Sequence, residues 1–183
     1  MKYQPYMTVF AHSTNMRVLL AMMHNLKAQD DSPKHMVPPA VFMAFTIEGF
    51  LNTLGSERIP GWEELERMPW KTKISLLHSF VGASPDWSRP PLQFAKRIFK
   101  IRDYLAHGKP ETTRGPRFDE RHDAIEYARG HTFEPKWYSD LSKAWVKEAY
   151  RNLTHLLGYL SELHGFDYEY HLMSAIGGIE DIE

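Results

Sequence analysis

Leu92-Gln93-Phe94-Ala95-Lys96-Arg97-Ile98-Phe99-Lys100-Ile101-Arg102-Asp103-Tyr104-Leu105-Ala106-His107-Gly108 is the stretch that decides the fold. Leu92, Phe94, Ala95, Ile98, Phe99, Ile101 and Leu105 recur at helical spacing, which gives one face able to bury itself against other helices. Pro90 or Pro91 can open this helix, and Gly108 with Pro110 closes it.

Upstream, Met16, Leu19, Leu20, Met23 and Leu26 mark a helix from Ser13 to about Ala28, with Ser13 placed to cap its first turn. The polar stretch Gln29-Asp30-Asp31-Ser32-Pro33 is a loop. A second helix, about Pro39 to Leu54, is apolar almost all round through Val41, Phe42, Phe45, Ile47, Phe50 and Leu51. Pro38 or Pro39 belongs in its first turn, and Gly55 is placed to end it. It is the expected centre of the molecule. Pro60-Gly61 and Pro69 bracket a short turn, Trp62 to Arg67. Ile74, Leu76, Leu77 and Phe80 then predict a helix running to Val81 before Gly82.

Downstream, Leu141, Trp145, Ala149, Leu153, Leu156, Leu157 and Leu160 predict a last long helix from Asp140 to His164, stopped by Gly165. Between these, Lys109 to Pro135 mixes charge, glycine and proline, with a weak helical signal from Asp119 to Ala128. It reads as a mobile or inserted region. No alternating strand pattern and no internal repeat stand out, and the tail beyond Phe166 stays unassigned. The expectation is an all-α, irregular helical bundle of about four main helices plus short ones, forming one domain over residues 1–183.

Composition narrows the chemistry. At 183 residues, with 43% hydrophobic and 13% aromatic side chains, the chain can bury a sizeable core. Lys and Arg number 22 against 23 Asp and Glu, so no global positive field draws in nucleic acid, and any such contact must be a local patch. The absence of cysteine removes disulfides, thiolate zinc sites and thiol nucleophiles together. The segment Met1 to Tyr6 lacks a signal-peptide pattern, and the greasy run Val37 to Ile47 is shorter than the roughly 18 residues of a membrane span. A soluble, cytoplasmic protein without membrane contact is expected.

Histidine, arginine and carboxylates remain as chemical players, and they gather at the end of the quoted helix. Residues five apart on a helix lie about 140° apart and roughly 7.5 Å along the axis, so Arg102 and His107 flank a groove rather than touch. Asp103 and His107 are four apart and share a face, so the carboxylate could fix the imidazole tautomer or stabilise its protonated form. Equally, Arg102 and Asp103 could be solvated charges and His107 a residue that merely ends a helix. Tyr104 could stack on a base or simply pack.

The sequence RDYLAHG, following LQFAKRIFKI, resembles the signature of the HEPN superfamily, in which a core helix carries Arg, a polar residue and then His. Asp103 stands where that motif most often has Asn. IEGFLNTLG, from Ile47 to Gly55, is similar to the helix that packs beside the motif helix in those proteins, with Glu48 and Asn52 four apart on one face. Glu48 would either pair with Arg102 and hold it at the site or satisfy nearby backbone groups; Asn52 is a second supporting candidate. The resemblance covers roughly Pro38 to Gly108 and extends to the last long helix as the bundle's closing member.

Such a resemblance implies a metal-independent ribonuclease, often a toxin with a protein antitoxin, working as a homodimer that brings two copies of the motif into one cleft. His107 would act as general base or acid, Arg102 would bind the phosphate, and Asp103 would tune the pair. The cations Lys96, Arg97, Lys100 and Arg102 could guide RNA or form the helix's solvated face. The remaining histidines make no HExxH or tight pair, and neither a phosphate-binding loop nor a dinucleotide fingerprint is present, so no metal and no cofactor is expected. The alternative is a non-catalytic HEPN-like module for dimerisation or for binding a nucleotide or a partner.

Overall fold

The computed structural model describes residues 2–182. The chain begins in a strand, β1 (Lys2–Val9), and enters α1 (Ala11–Asn25), which buries His12, Ser13, Met16 and Leu19. Ser13 does not cap this helix. Phe10 holds the extended cap position, and the Ser13 hydroxyl, already inside the first turn, donates to the Phe10 carbonyl at 2.9 Å.

Helix α2 (Pro33–Arg58) is longer at both ends than its periodicity predicts. Pro33 sits in its first turn, and Pro38 and Pro39 lie inside the helix, where each forgoes one backbone hydrogen bond. Gly55 does not end it. A Cβ at Gly55 would overlap the Trp62 ring, so the glycine is there to let that indole lie against the helix backbone. By length and composition α2 could cross a membrane. Here it is the central helix, packed against α1, α4 (Trp70–Phe80), α5 (Leu92–His107) and α8 (Lys143–Leu163). Met43, Ala44, Ile47, Phe50, Leu51 and Leu54 are sealed from solvent there.

The short helix α3 (Trp62–Leu65) brings Trp62 under α2. Helix α8 follows the predicted span closely; the Ser142 hydroxyl accepts from the Trp145 amide at 3.1 Å, and the chain turns away at Gly165 in a left-handed conformation. Between α5 and α8 lie α6 (Arg121–Gly130), which buries no residue, and α7 (Lys136–Ser139). The expected mobile or inserted stretch Lys109 to Pro135 thus carries an exposed helix.

The all-α class holds for the body of the molecule, with one addition. After a 3-10 turn, Tyr168–Leu172, the chain forms β2 (Ala175–Ile182), antiparallel to β1 from Lys2↔Ile182 to Val9↔Ala175. All residues of both strands are exposed. The ribbon is rooted where the Phe10 amide and the Ser13 hydroxyl both reach the Ser174 carbonyl, at 3.3 Å each.

Candidate functional site

Helix α5 sorts its residues by face. Leu92, Ala95, Ile98, Phe99 and Ile101 turn inward, which leaves Lys96, Arg97, Lys100, Asp103, Tyr104 and His107 on the solvent side. Arg102 falls on the boundary, with 23% of its side chain exposed. Its guanidinium lies 5.2 Å from the centre of the Phe99 ring, and Nη2 is 3.8 Å from Glu48 Oε2. The expected neighbour on α2 is therefore within ion-pair reach.

The other Glu48 oxygen is 3.9 Å from Lys73 Nζ, and this ammonium donates to Asn52 Oδ1 at 2.8 Å. Lys73, on α4, is 1% exposed. Burial pushes its pKa below the ordinary lysine value, while Glu48 and Glu66 pull the other way. Glu48 and Asn52, four apart on α2, thus present one polar face that meets Lys73 from one side and Arg102 from the other. Sequence reading places Glu48 and Asn52 in the site and misses Lys73, because an isolated lysine in an amphipathic stretch ordinarily points to water.

Asp103 and His107 face a different space. They line an open groove of about 690 Å³, together with Trp70, Lys71, Lys96, Lys100, Tyr104 and the turn from Gly108 to Glu111. Four lysines, Lys71, Lys96, Lys100 and Lys109, stand there against Asp103 and Glu111, so the groove is locally cationic although the chain as a whole is not. The Trp70 ring is fixed by stacking on Phe99, 4.2 Å between centroids and 5° from parallel.

Two expectations change in this geometry. Asp103 Oδ1 lies 3.4 Å from Arg102 Nε, and among the described residues no hydrogen bond joins Asp103 to His107. The carboxylate leans toward the arginine rather than the imidazole. Arg102 does not line the groove that holds His107; Asp103, which does line it, is in ion-pair reach of Arg102. The Arg102 Nε is buried without a hydrogen bond, since its approach to Asp103 is out of line.

Tyr104 both stacks and stays accessible: its ring is parallel to that of Trp137 within 2°, with centroids 5.3 Å apart, and it is 40% exposed. Trp70 and Lys71 in the groove, and Trp137 against Tyr104, are neighbours that spacing within α5 could not reveal, because they come from other elements. His131 stacks on Tyr127 and its Nδ1 donates to the Tyr127 carbonyl at 2.8 Å. Among the described residues, no three His, Asp or Glu side chains gather where they could hold a metal ion.

No protein-family model matches the chain, and neither does any curated protein or solved structure.

Proposed function

We propose that the chain is a metal-independent endoribonuclease of the HEPN type, acting as a homodimer in the cytoplasm. The observation that carries the proposal is the placement of His107 in the lining of a lysine-lined groove, five residues along α5 from an arginine in ion-pair reach of Glu48. An RNA backbone is an anion, and the groove offers it cations beside the imidazole of His107.

In this mechanism, imidazole Nε2 or Nδ1 of His107 removes the proton of the ribose 2′-hydroxyl. The freed oxygen attacks the adjacent phosphorus, and the P–O5′ bond breaks. The leaving 5′-oxygen takes a proton from a second His107, supplied by the other protomer's copy of the motif. The products are a 2′,3′-cyclic phosphate and a 5′-hydroxyl. Arg102 stabilises the charge that builds on the phosphate oxygens, and Glu48 and Asp103 hold its guanidinium meanwhile. In one chain Arg102 stays off the groove wall, and in this proposal the homodimer brings the two copies of the motif into one cleft. A toxin role, held in check by an antitoxin protein, belongs to the same proposal.

The test is cleavage of single-stranded RNA in excess EDTA. Wild type should cut and leave cyclic phosphate ends, whereas His107→Ala should be slower by about 10²- to 10⁴-fold. Arg102→Lys should also be impaired, because a point charge does not replace the planar fork. An RNA carrying 2′-deoxy sugars should resist. Equal cleavage by wild type and His107→Ala would remove His107 from the mechanism. Growth arrest on expression of wild type, relieved in His107→Ala, would support the toxin role.

A second interpretation has its own observation. Arg102 is engaged by Glu48, Asp103 and the Phe99 ring, as it would be if it served the structure of a non-catalytic binding module. RNA that is bound by wild type but left uncut would favour that module.

A further inference from the structure

On the far side of the Lys96–Lys100–Tyr104 ridge from His107 lies a second, smaller hollow of about 170 Å³ between α5, α7 and the start of α8. Its walls include Arg97, Lys100, Tyr104, Trp137, Asp140 and Trp145. The Arg97 guanidinium stands 5.2 Å from the centre of the Trp145 ring, and the Lys100 ammonium 5.8 Å from that of Tyr104. The stacked Tyr104 and Trp137 rings form a further flat surface.

Charge partnership sets this helix face apart. Arg89, Arg129 and Arg151 each have an acid three residues earlier in ion-pair contact. Among the described residues, Lys96, Arg97 and Lys100 have no such partner. Like charges at i and i+4 repel, so Lys96 and Lys100 leave a repulsion that an incoming polyanion relieves. A depression beside Lys96, Arg97 and Asn152 continues the cationic track along α5. Within the hollow, Asp140 is a carboxylate that no side chain of the described residues engages. It would repel a phosphate and accept from N–H groups of a heterocycle. The hollow therefore suits a base, and the ridge suits phosphates.

We propose that this hollow is a nucleobase-binding site. It holds one base of a single-stranded RNA against Trp145 and the Tyr104–Trp137 stack, with Asp140 accepting from the base's N–H groups. The flanking phosphates cross Lys96, Arg97 and Lys100 toward His107. Lys100 and His107 are roughly 10 Å apart along the helix axis, a distance that a short extended strand covers. The direction of the strand toward His107 rests on the ribonuclease proposal; the base-binding hollow itself does not. Duplex RNA, with its bases stacked and paired, cannot enter.

The experiment uses the full chain carrying His107→Ala and a fluorescent 2′-O-methyl oligonucleotide, which cannot be cleaved. It is compared with an abasic strand of equal length and with the same sequence as a duplex. The base-containing single strand should bind about tenfold more tightly than either. Asp140→Ala, a change at an exposed residue, and Trp145→Leu should each shrink that difference to near unity, and circular dichroism should show that the helices persist. Equal binding of abasic and base-containing strands overturns the inference, as does a difference left unchanged in Asp140→Ala. Cleavage of plain RNA by wild type is read separately. Cutting without base-dependent binding sinks the hollow and leaves the ribonuclease standing. Base-dependent binding without cutting keeps the hollow and removes the ribonuclease.

Discussion

An ammonium group shut away from water between Asn52 and Glu48 costs free energy unless both partners stay. Replacing Lys73 by Met fills the space but leaves Asn52 Oδ1 without its donor and Glu48 without one of its two cations. The expected loss is about 2 kcal/mol of stability, read as a lower denaturant midpoint with unchanged slope. A second residue-scale test is Gly55→Ala. The added methyl would meet the Trp62 ring, and relief requires the indole or α2 to move, so a loss of about 1–3 kcal/mol is expected in the same measurement. Residues of the site and core also differ in how far they could be read in advance. Glu48, Asn52, Arg102 and His107 declare themselves by polar character in an apolar helix or by motif spacing. Lys73 and Trp62 do not, since burial of a lysine and close approach to a glycine depend on which helix arrives opposite.

At the scale of elements, α5 and α8 were legible because each has a single apolar stripe and a clear stop, at Gly108 and Gly165. Helix α2 was legible in its middle and not at its ends, where prolines and a glycine ordinarily break a helix and here are overridden by packing. The strands escaped for a different reason. Tyr3, Met7 and Val9 do alternate along β1, but Pro5 interrupts the pattern, and the pairing partner lies at the other end of the chain. Since every ribbon residue is exposed, the ribbon adds little to the body. Removing residues 176–183, which spares the anchor at Ser174, should move the thermal midpoint by no more than a few degrees. A loss of cooperative melting would show instead that the ribbon is part of the core.

Across the whole molecule, buried histidines make stability depend on acidity. Burial lowers the pKa of His12 to about 4 and that of His164 to about 4, and it also lowers those of His78 and His171. For His78 burial outweighs the Ile74 carbonyl, which accepts from Nδ1 at 2.7 Å and favours the charged ring; Nε2 lies 2.8 Å from the Tyr159 hydroxyl. An unfolded chain protonates such rings near pH 6.5, whereas in the folded chain His12 and His164 resist until about pH 4. Stability is therefore full above pH 7 and falls as pH drops from about 6.5 toward 4, by up to roughly 3 kcal/mol each for His12 and His164. Urea midpoints measured between pH 7.5 and 4.5 should decline steadily, and a flat profile would contradict the burial. The β1–β2 ribbon has a consequence of its own, in the order of assembly. Lys2 meets Ile182 only after almost the entire chain has been looped back, a closure that costs entropy and returns little burial. The helices must first bring Phe10 and Ser174 together. The ribbon then zips outward from that root as the last step of folding, so its amide hydrogens, although bonded, should exchange with deuterated solvent well before those of α2.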